Sequence, residues 1–254
     1  MKNITKSKLL LFALVSIVLS GCNGIPDASQ TPEVIVVRSE PPEPTVDLSS
    51  ASEITAHPST SPPIYTPEVT WIPEPEDSEF VKVVEYIPGI VVELKYSTQD
   101  NFVGEVIYDF SDAWLRYGTV KKLRDAQNEL VELGFGIKIW DAFRPVTAQF
   151  TLWEKVPNAR YVANPNTGYS SHSTGNTVDV TLVDSNGIEL EMPSGFDDFS
   201  ALADRAYWDV SEIAAENSLL LENVMTHAGF VPYTAEWWHY SDTAYYSPET
   251  TFSP

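Results

Sequence analysis

Apolar and polar positions follow two different arrangements along this chain. Residues 23 to 77 show neither a two-residue nor a 3.6-residue apolar period, and runs such as SEPPEPT and HPSTSPPIYTPE gather most of the chain's 19 prolines there. Such a segment buries too little apolar surface to offset its chain entropy, and it predicts an extended, acidic, disordered tether. From about residue 78 the pattern becomes periodic. VKVVEYI and IVVELKY predict strands by their β-branched content, separated by a turn at Pro88 and Gly89. SDAWLRYGTVKKLRDAQNELVELG predicts a helix with Ser111 as N-cap, an apolar stripe at Trp114, Val120, Leu123, Ala126 and Leu130, and Gly134 as its stop. FGIKIWDAF predicts a strand, and PVTAQFTLWEKV a helix opened by Pro145. NTVDVTLVD predicts a strand that turns at Asn186 and Gly187 into IELEM. SEIAAENSLLLENVMTHAGF predicts a late helix and AEWWHYSD a last strand-like piece. Strands and helices are mixed without regular βαβ alternation, so the class expected for residues 78–254 is a single α+β domain.

The first 22 residues differ from both. Lys2, Lys6 and Lys8 precede an apolar run from Leu9 to Leu19 and then small residues, the form of a secretory signal and too short to span a bilayer. Two readings of its end stand: cleavage by an ordinary signal peptidase, or lipidation, because LSGC resembles the bacterial lipobox whose cysteine becomes the first residue of the mature protein. Cys22 is the only cysteine, which excludes an intramolecular disulfide and gives the residue a reason for its position. The expected organisation is a lipoprotein signal over 1–22, a tether over 23–77 and a folded domain over 78–254. The protein would then be extracytoplasmic and membrane-anchored. A formal charge of -21, from 15 basic against 36 acidic residues, argues against nucleic acid as a partner.

The stretch SSHSTGNTVDVTL places a histidine, one of only four, in a Gly- and Thr-rich turn and an aspartate between Val178 and Val180. A carboxylate buried in such a strand is costly unless a cation or hydrogen-bond donors compensate it. His172 and Asp179 offer a nitrogen and an oxygen ligand, and EWWH adds Glu236 and His239. His, Asp and His would leave a fourth tetrahedral position for water, as catalytic zinc requires, and Glu236 would be free to act on that water. In a straight strand Glu236 and His239 point to opposite faces, so this site requires a turn or bulge between them. His227 sits at a helix C-terminus, where a histidine is favoured by the dipole, and is left out of the site. His57 falls in the tether and is read as solvated. Arg144 ends a strand before a proline-opened helix; it either pairs with Asp141 at the surface or stabilises charge building on a carbonyl oxygen.

SHSTGNTVDVTL is similar to an S-H-x-x-G-x-x-x-D zinc motif, and EWWHY to an E-x-W-H motif, of the zinc D-alanyl-D-alanine dipeptidases of the vancomycin-resistance type. These belong to a wider group of D,D-peptidases sharing the fold of the Hedgehog signalling domain, with a central antiparallel-rich sheet and flanking helices. KYSTQDNFVG, WDAFRP and MPSGFDDFS match in the same order. The resemblance implies a Zn2+ ion bound by His172, Asp179 and His239, Glu236 as general base, and Arg144 polarising the scissile carbonyl. It also implies that Tyr96, Ser170 and Asp197 receive the substrate's ammonium group, although Asp197 alone reads as a solvated loop acid. Pro193 replaces the glycine expected in MPSGFDD. The implied activity is hydrolysis of D-Ala-D-Ala in cell-wall peptide turnover. A D,D-carboxypeptidase that trims D-Ala from peptidoglycan stem peptides is the alternative, and a non-catalytic wall-binding module a further one.

Overall fold

The structure, a computed structural model, describes residues 74–254. The signal, Cys22, His57 and the tether up to residue 73 lie outside the described residues.

Strand β1 (Phe80–Lys82) takes only the start of VKVVEYI, and the rest forms one helical turn, α1 (Val83–Tyr86). Val83 and Ile87 are both fully buried whereas Val84 is exposed, so the apolar residues here obey a four-residue spacing rather than alternation. IVVELKY shortens to β2 (Val91–Val92) and a 3-10 turn, Lys95–Ser97, that carries Tyr96. Ser111 caps no helix. Trp114–Arg116 is strand β3, paired antiparallel with β1, and helix α2 begins only afterwards (Tyr117–Glu132). Pairing with a neighbouring strand overrides the helical pattern of SDAWLRY, while the predicted stripe from Val120 to Leu130 is buried. The helix stops where expected, with Gly134 at φ 86.

Strand β4 (Phe135–Asp141), helix α3 (Val146–Lys155) after Pro145, strand β5 (Thr177–Asp184) and helix α4 (Glu212–His227) follow the predicted order. Ser211 caps α4 by accepting from the Ala214 N–H at 3.0 Å. Strands β6 (Phe230–Pro232) and β7 (His239–Asp242) complete a five-stranded sheet of order β2-β4-β5-β7-β6, in which only β2 and β4 run parallel. IELEM contributes no strand, only a bridge between Val183 and Glu189 beyond the Gly187 turn. The domain is therefore α+β with an antiparallel-rich sheet, and α2 and α4 pack against that sheet and each other. No helix among the described residues is long and apolar enough to cross a membrane.

Two features of register decide where chemistry can sit. Ile137, Ile139, Val178, Val180, Leu182 and Tyr240 are fully buried and share one face of the sheet. Asp179 pairs with His239 across the ladder on the other face. A bulge at Trp140 shifts β4 so that Asp141, not Trp140, pairs with Asp179. One extra residue thus turns a fully buried carboxylate toward the same face.

The last residues form a strap back to the first. Phe252 stacks on Phe80 with ring centroids 4.4 Å apart, the Tyr246 hydroxyl donates to Asp77 O, and Glu249 N–H donates to Ser173 O at 2.7 Å.

Candidate active site

His172 stands on a 3-10 turn, Ser171–Thr174, that ends at Gly175 with φ 78. A β-carbon at position 175 would lie 2.4 Å from the Phe80 ring, so the tight turn that presents His172 needs glycine twice over, for conformation and for space. His172 Nδ1 donates to the Ala142 carbonyl at 2.9 Å, which fixes the tautomer and leaves Nε2 with a lone pair. That nitrogen lies 3.2 Å from Asp179 Oδ2 and 3.3 Å from His239 Nδ1. His239 Nδ1 is in turn 3.0 Å from Asp179 Oδ1.

These atoms fit a metal. Donors at zinc bonding distances on a tetrahedron are separated by roughly 3.3 Å, close to the three separations here. Asp179 Oδ1 is buried and accepts no hydrogen bond despite its nearness to the His239 ring, an orphaned acceptor of the kind that a bound cation would satisfy. Burial raises the Asp179 carboxyl pKa, but the imidazoles of His172 and His239 outweigh it and hold the group well below the usual carboxylate range. Without a metal, protons on the imidazoles compensate this buried anion; a divalent cation taking the place of those protons would compensate it in the same way.

Glu236 Oε2 is 3.6 Å from His239 Nδ1. The chain reverses between β6 and β7, which supplies the turn that convergence of Glu236 and His239 requires. Burial, reinforced by Asp179 and Asp197, raises the Glu236 carboxyl to about 6.

Arg144 is not a surface arginine. Its Nε and Nη2 donate to Asp141 Oδ2 at 3.0 and 2.6 Å, and its Nη1 to Gln149 Oε1 at 3.0 Å. The pairing with Asp141 and the approach to the site are the same arrangement, because the bulge brings Asp141 beneath the cleft, to the sheet face that carries Asp179. The guanidinium lies 4.9 Å from the Tyr96 ring centroid. Tyr96 OH donates to Asp197 Oδ2 at 2.6 Å. Asp197 is no solvated loop acid: its backbone is left-handed (φ 52), and burial pushes its carboxyl up to about 7. Ser170, buried, precedes the His172 turn. A cleft of about 490 Å³ brings together Tyr96, Arg144, Ser170, His172, Asp179, Asp197, Glu236 and His239. His227 ends α4, exposed and 3.5 Å from Glu129, away from these residues.

Residues 76–252 match the D-ala-D-ala dipeptidase family. This chain belongs to that family. It is 34% identical over 165 residues to the D-alanyl-D-alanine dipeptidase of Escherichia coli (strain K12), a match covering 65% of this chain and 85% of that one. It is 31% identical over 199 residues to the D-alanyl-D-alanine dipeptidase of Enterococcus faecalis (strain ATCC 700802 / V583), covering 70% and 98%. Among solved structures, VanYB in complex with D-Alanine-D-Alanine aligns with a TM-score of 0.35 at 16% identity, over 52% of this chain and 73% of that one. The LdcB LD-carboxypeptidase aligns with a TM-score of 0.39 at 18% identity, over 66% and 69%.

The site of this dipeptidase-family chain includes partners that sequence patterns did not single out. Tyr108 OH donates to Asp141 Oδ1 at 2.8 Å, and Gln149 Nε2 donates to Ala163 O at 2.8 Å while its oxygen holds Arg144. The signal for Gln149 was its place five residues after Arg144, on the first turn of α3. Tyr108 carries no such signal, since a tyrosine in an irregular segment reaches a buried acid only through tertiary structure.

Proposed function

We propose that this peptidase is zinc-dependent and hydrolyses D-Ala-D-Ala to two D-alanines in cell-wall peptide turnover. Support comes chiefly from one observation: His172, Asp179 and His239 present three donor atoms at tetrahedral separations with the Glu236 carboxylate beside them. A zinc ion held there supplies Lewis acidity toward water and the scissile carbonyl. Glu236, with its carboxyl raised to about 6, takes a proton from the attacking water and returns it to the departing amine as the C–N bond breaks. Arg144, fixed by Asp141 and Gln149, opposes the negative charge that builds on the carbonyl oxygen. Asp197, held by Tyr96, receives the substrate ammonium, with Ser170 beside it. A base next to the ligand set has no use in a pure wall-binding module.

The cleft is larger than an alanyl dipeptide fills. That room favours, as a second reading, trimming of D-Ala from peptidoglycan stem peptides. Turnover of free D-Ala-D-Ala and of N-acetyl-D-Ala-D-Ala, with zinc content measured on the same sample, separates them. Fast cleavage of the free dipeptide alone supports the first reading; comparable rates transfer the protein to the second, and absence of bound zinc removes both.

We also propose an extracytoplasmic location with a lipid on Cys22 and the acidic segment as spacer. Fractionation with membranes should be lost in Cys22→Ala, because acyl chains provide the attachment. Equal membrane retention of both proteins rejects it.

A further inference from the structure

Glu236 and His239 converge because residues 233 to 239 close on themselves. Tyr233 N–H donates to His239 O at 3.0 Å, Glu236 N–H to Tyr233 O at 3.3 Å, and His239 N–H to Glu236 O at 3.3 Å. Two of these bonds are long for N–H···O contacts, so by itself the loop is loosely tied. The carbonyls at its neck, those of Tyr233 and His239, share a second donor. Arg205 Nε donates to Tyr233 O at 2.8 Å and Arg205 Nη2 to His239 O at 3.1 Å.

The arginine is itself held. Its Nη1 donates to Glu222 Oε2 on α4 at 2.9 Å and to Tyr240 OH at 3.0 Å, and its guanidinium carbon lies 4.5 Å from the Tyr240 ring centroid. Arg205 N–H also reaches Thr234 O inside the loop. With its side chain only 9% exposed, little water competes for these bonds. A planar fork of fixed spacing sets the separation of two carbonyls in a way that a single ammonium cannot.

We propose that Arg205 is the positioning residue of the hairpin that presents Glu236 and His239. It touches neither substrate nor ligand atoms; it acts through the backbone, setting the neck from which one side chain reaches the metal and the other the water. The proposal rests on the reading of His239 as a metal ligand and Glu236 as base. Misplacing such groups by about 1 Å costs on the order of a hundredfold in rate. Supporting partners of a metal ligand typically carry 10- to 100-fold in metal affinity.

The test uses the full chain and Arg205→Lys, which keeps a positive charge opposite Glu222 but lacks the planar fork of fixed spacing across the two carbonyls. Zinc affinity by competition with a chromophoric chelator, kcat and KM on free D-Ala-D-Ala, and melting of the metal-free protein are measured beside wild type and His172→Ala. Zinc affinity is expected to fall roughly 10- to 100-fold, with kcat reduced more than KM is changed. Millimolar guanidinium should restore part of both in Arg205→Ala. A residue serving global stability alone would lower the melting temperature and leave zinc affinity and kcat of the folded protein at wild-type values, and that result overturns the proposal. If the lysine variant does not fold, Glu222→Ala decides: it removes the acceptor that holds Arg205 Nη1 without altering residues 233 to 239, so a several-fold loss of zinc affinity supports the proposal and no change overturns it. Undiminished zinc affinity in His172→Ala is a different failure, that of the metal site itself, and overturns both.

Discussion

Asp179 on β5 and His239 on β7 are direct cross-strand partners, and their side chains meet at 3.0 Å. Strand register therefore sets one edge of the proposed ligand triangle before any loop contributes, while His172 and Glu236 arrive on turns. Ligands and base should separate on mutation. His172→Ala and His239→Ala are expected to lose zinc and activity together, measured as metal per chain and turnover. Glu236→Ala should keep its zinc and lose roughly 10²- to 10⁴-fold or more in kcat, the scale of a general acid-base group. Full zinc in both histidine variants would remove the ligand assignment.

The amine end should show in the pH profile. With its folded pKa at about 7, Asp197 is largely neutral below that pH and offers an ammonium no charge. Specificity for the free dipeptide, kcat/KM, should rise with pH through about 7 and fall as the substrate's amino group loses its proton near pH 8. Asp197→Asn should shift the acid limb to lower pH. It should also cost kcat/KM more than a hundredfold, the effect of about 3 to 5 kcal/mol for a broken buried pair. An unchanged limb in that variant would place the ammonium elsewhere.

Asp141 and Arg144 should fail in different ways. Asp141 has no exposed surface, and Asp141→Ala leaves the arginine buried without its anion, so a stability loss of about 3 to 5 kcal/mol is expected in denaturant titration. Arg144→Ala removes the cation proposed to oppose the developing oxyanion. Its kcat should drop by the equivalent of about 2.7 to 4 kcal/mol. A normal kcat would confine Arg144 to holding the fold.

The C-terminal strap should respond to acid. Glu249 accepts from Thr251 Oγ1 at 2.6 Å, from Thr251 N–H at 2.7 Å and from Phe252 N–H at 3.1 Å, and these bonds lower its carboxyl to about 2. Because the folded pKa lies below the ordinary 4.5, the stabilisation is complete above about 4.5 and disappears as pH falls toward 2. Trp114 lies 5.4 Å from Phe252 and reports the release by fluorescence. Glu249→Gln should flatten the response over that window, and an identical response in both proteins would assign it to another group.

How much of this was legible in the sequence depended on whether a feature was local. The β5 strand was readable because Val178 and Val180 flank Asp179 in an apolar run, and α4 as the long segment SEIAAENSLLLENVMTHAGF. The start of α2 was not, since SDAWLRY carries a helical pattern that pairing with β1 overrides. At the site, the residue types and spacings around His172 and Glu236 marked the candidates. The bulge that turns Asp141 toward Asp179, and the fork of Arg205 across two carbonyls, left no local trace, because both act on backbone atoms supplied by distant segments.

The strap that lays Phe252 on Phe80 and Tyr246 beside Asp77 also means that the two ends of the domain are neighbours. A short glycine-rich bridge between them would close the domain, residues 77–254 alone, into a ring. New ends cut at the exposed turn around Asn186 would put Glu236 and His239 ahead of His172 and Asp179 in the chain while leaving each on its present strand or turn. Such a circular permutant should bind zinc as the parent does, since the strands that carry Asp179 and His239 are joined through ladder pairing and do not depend on where the polypeptide starts.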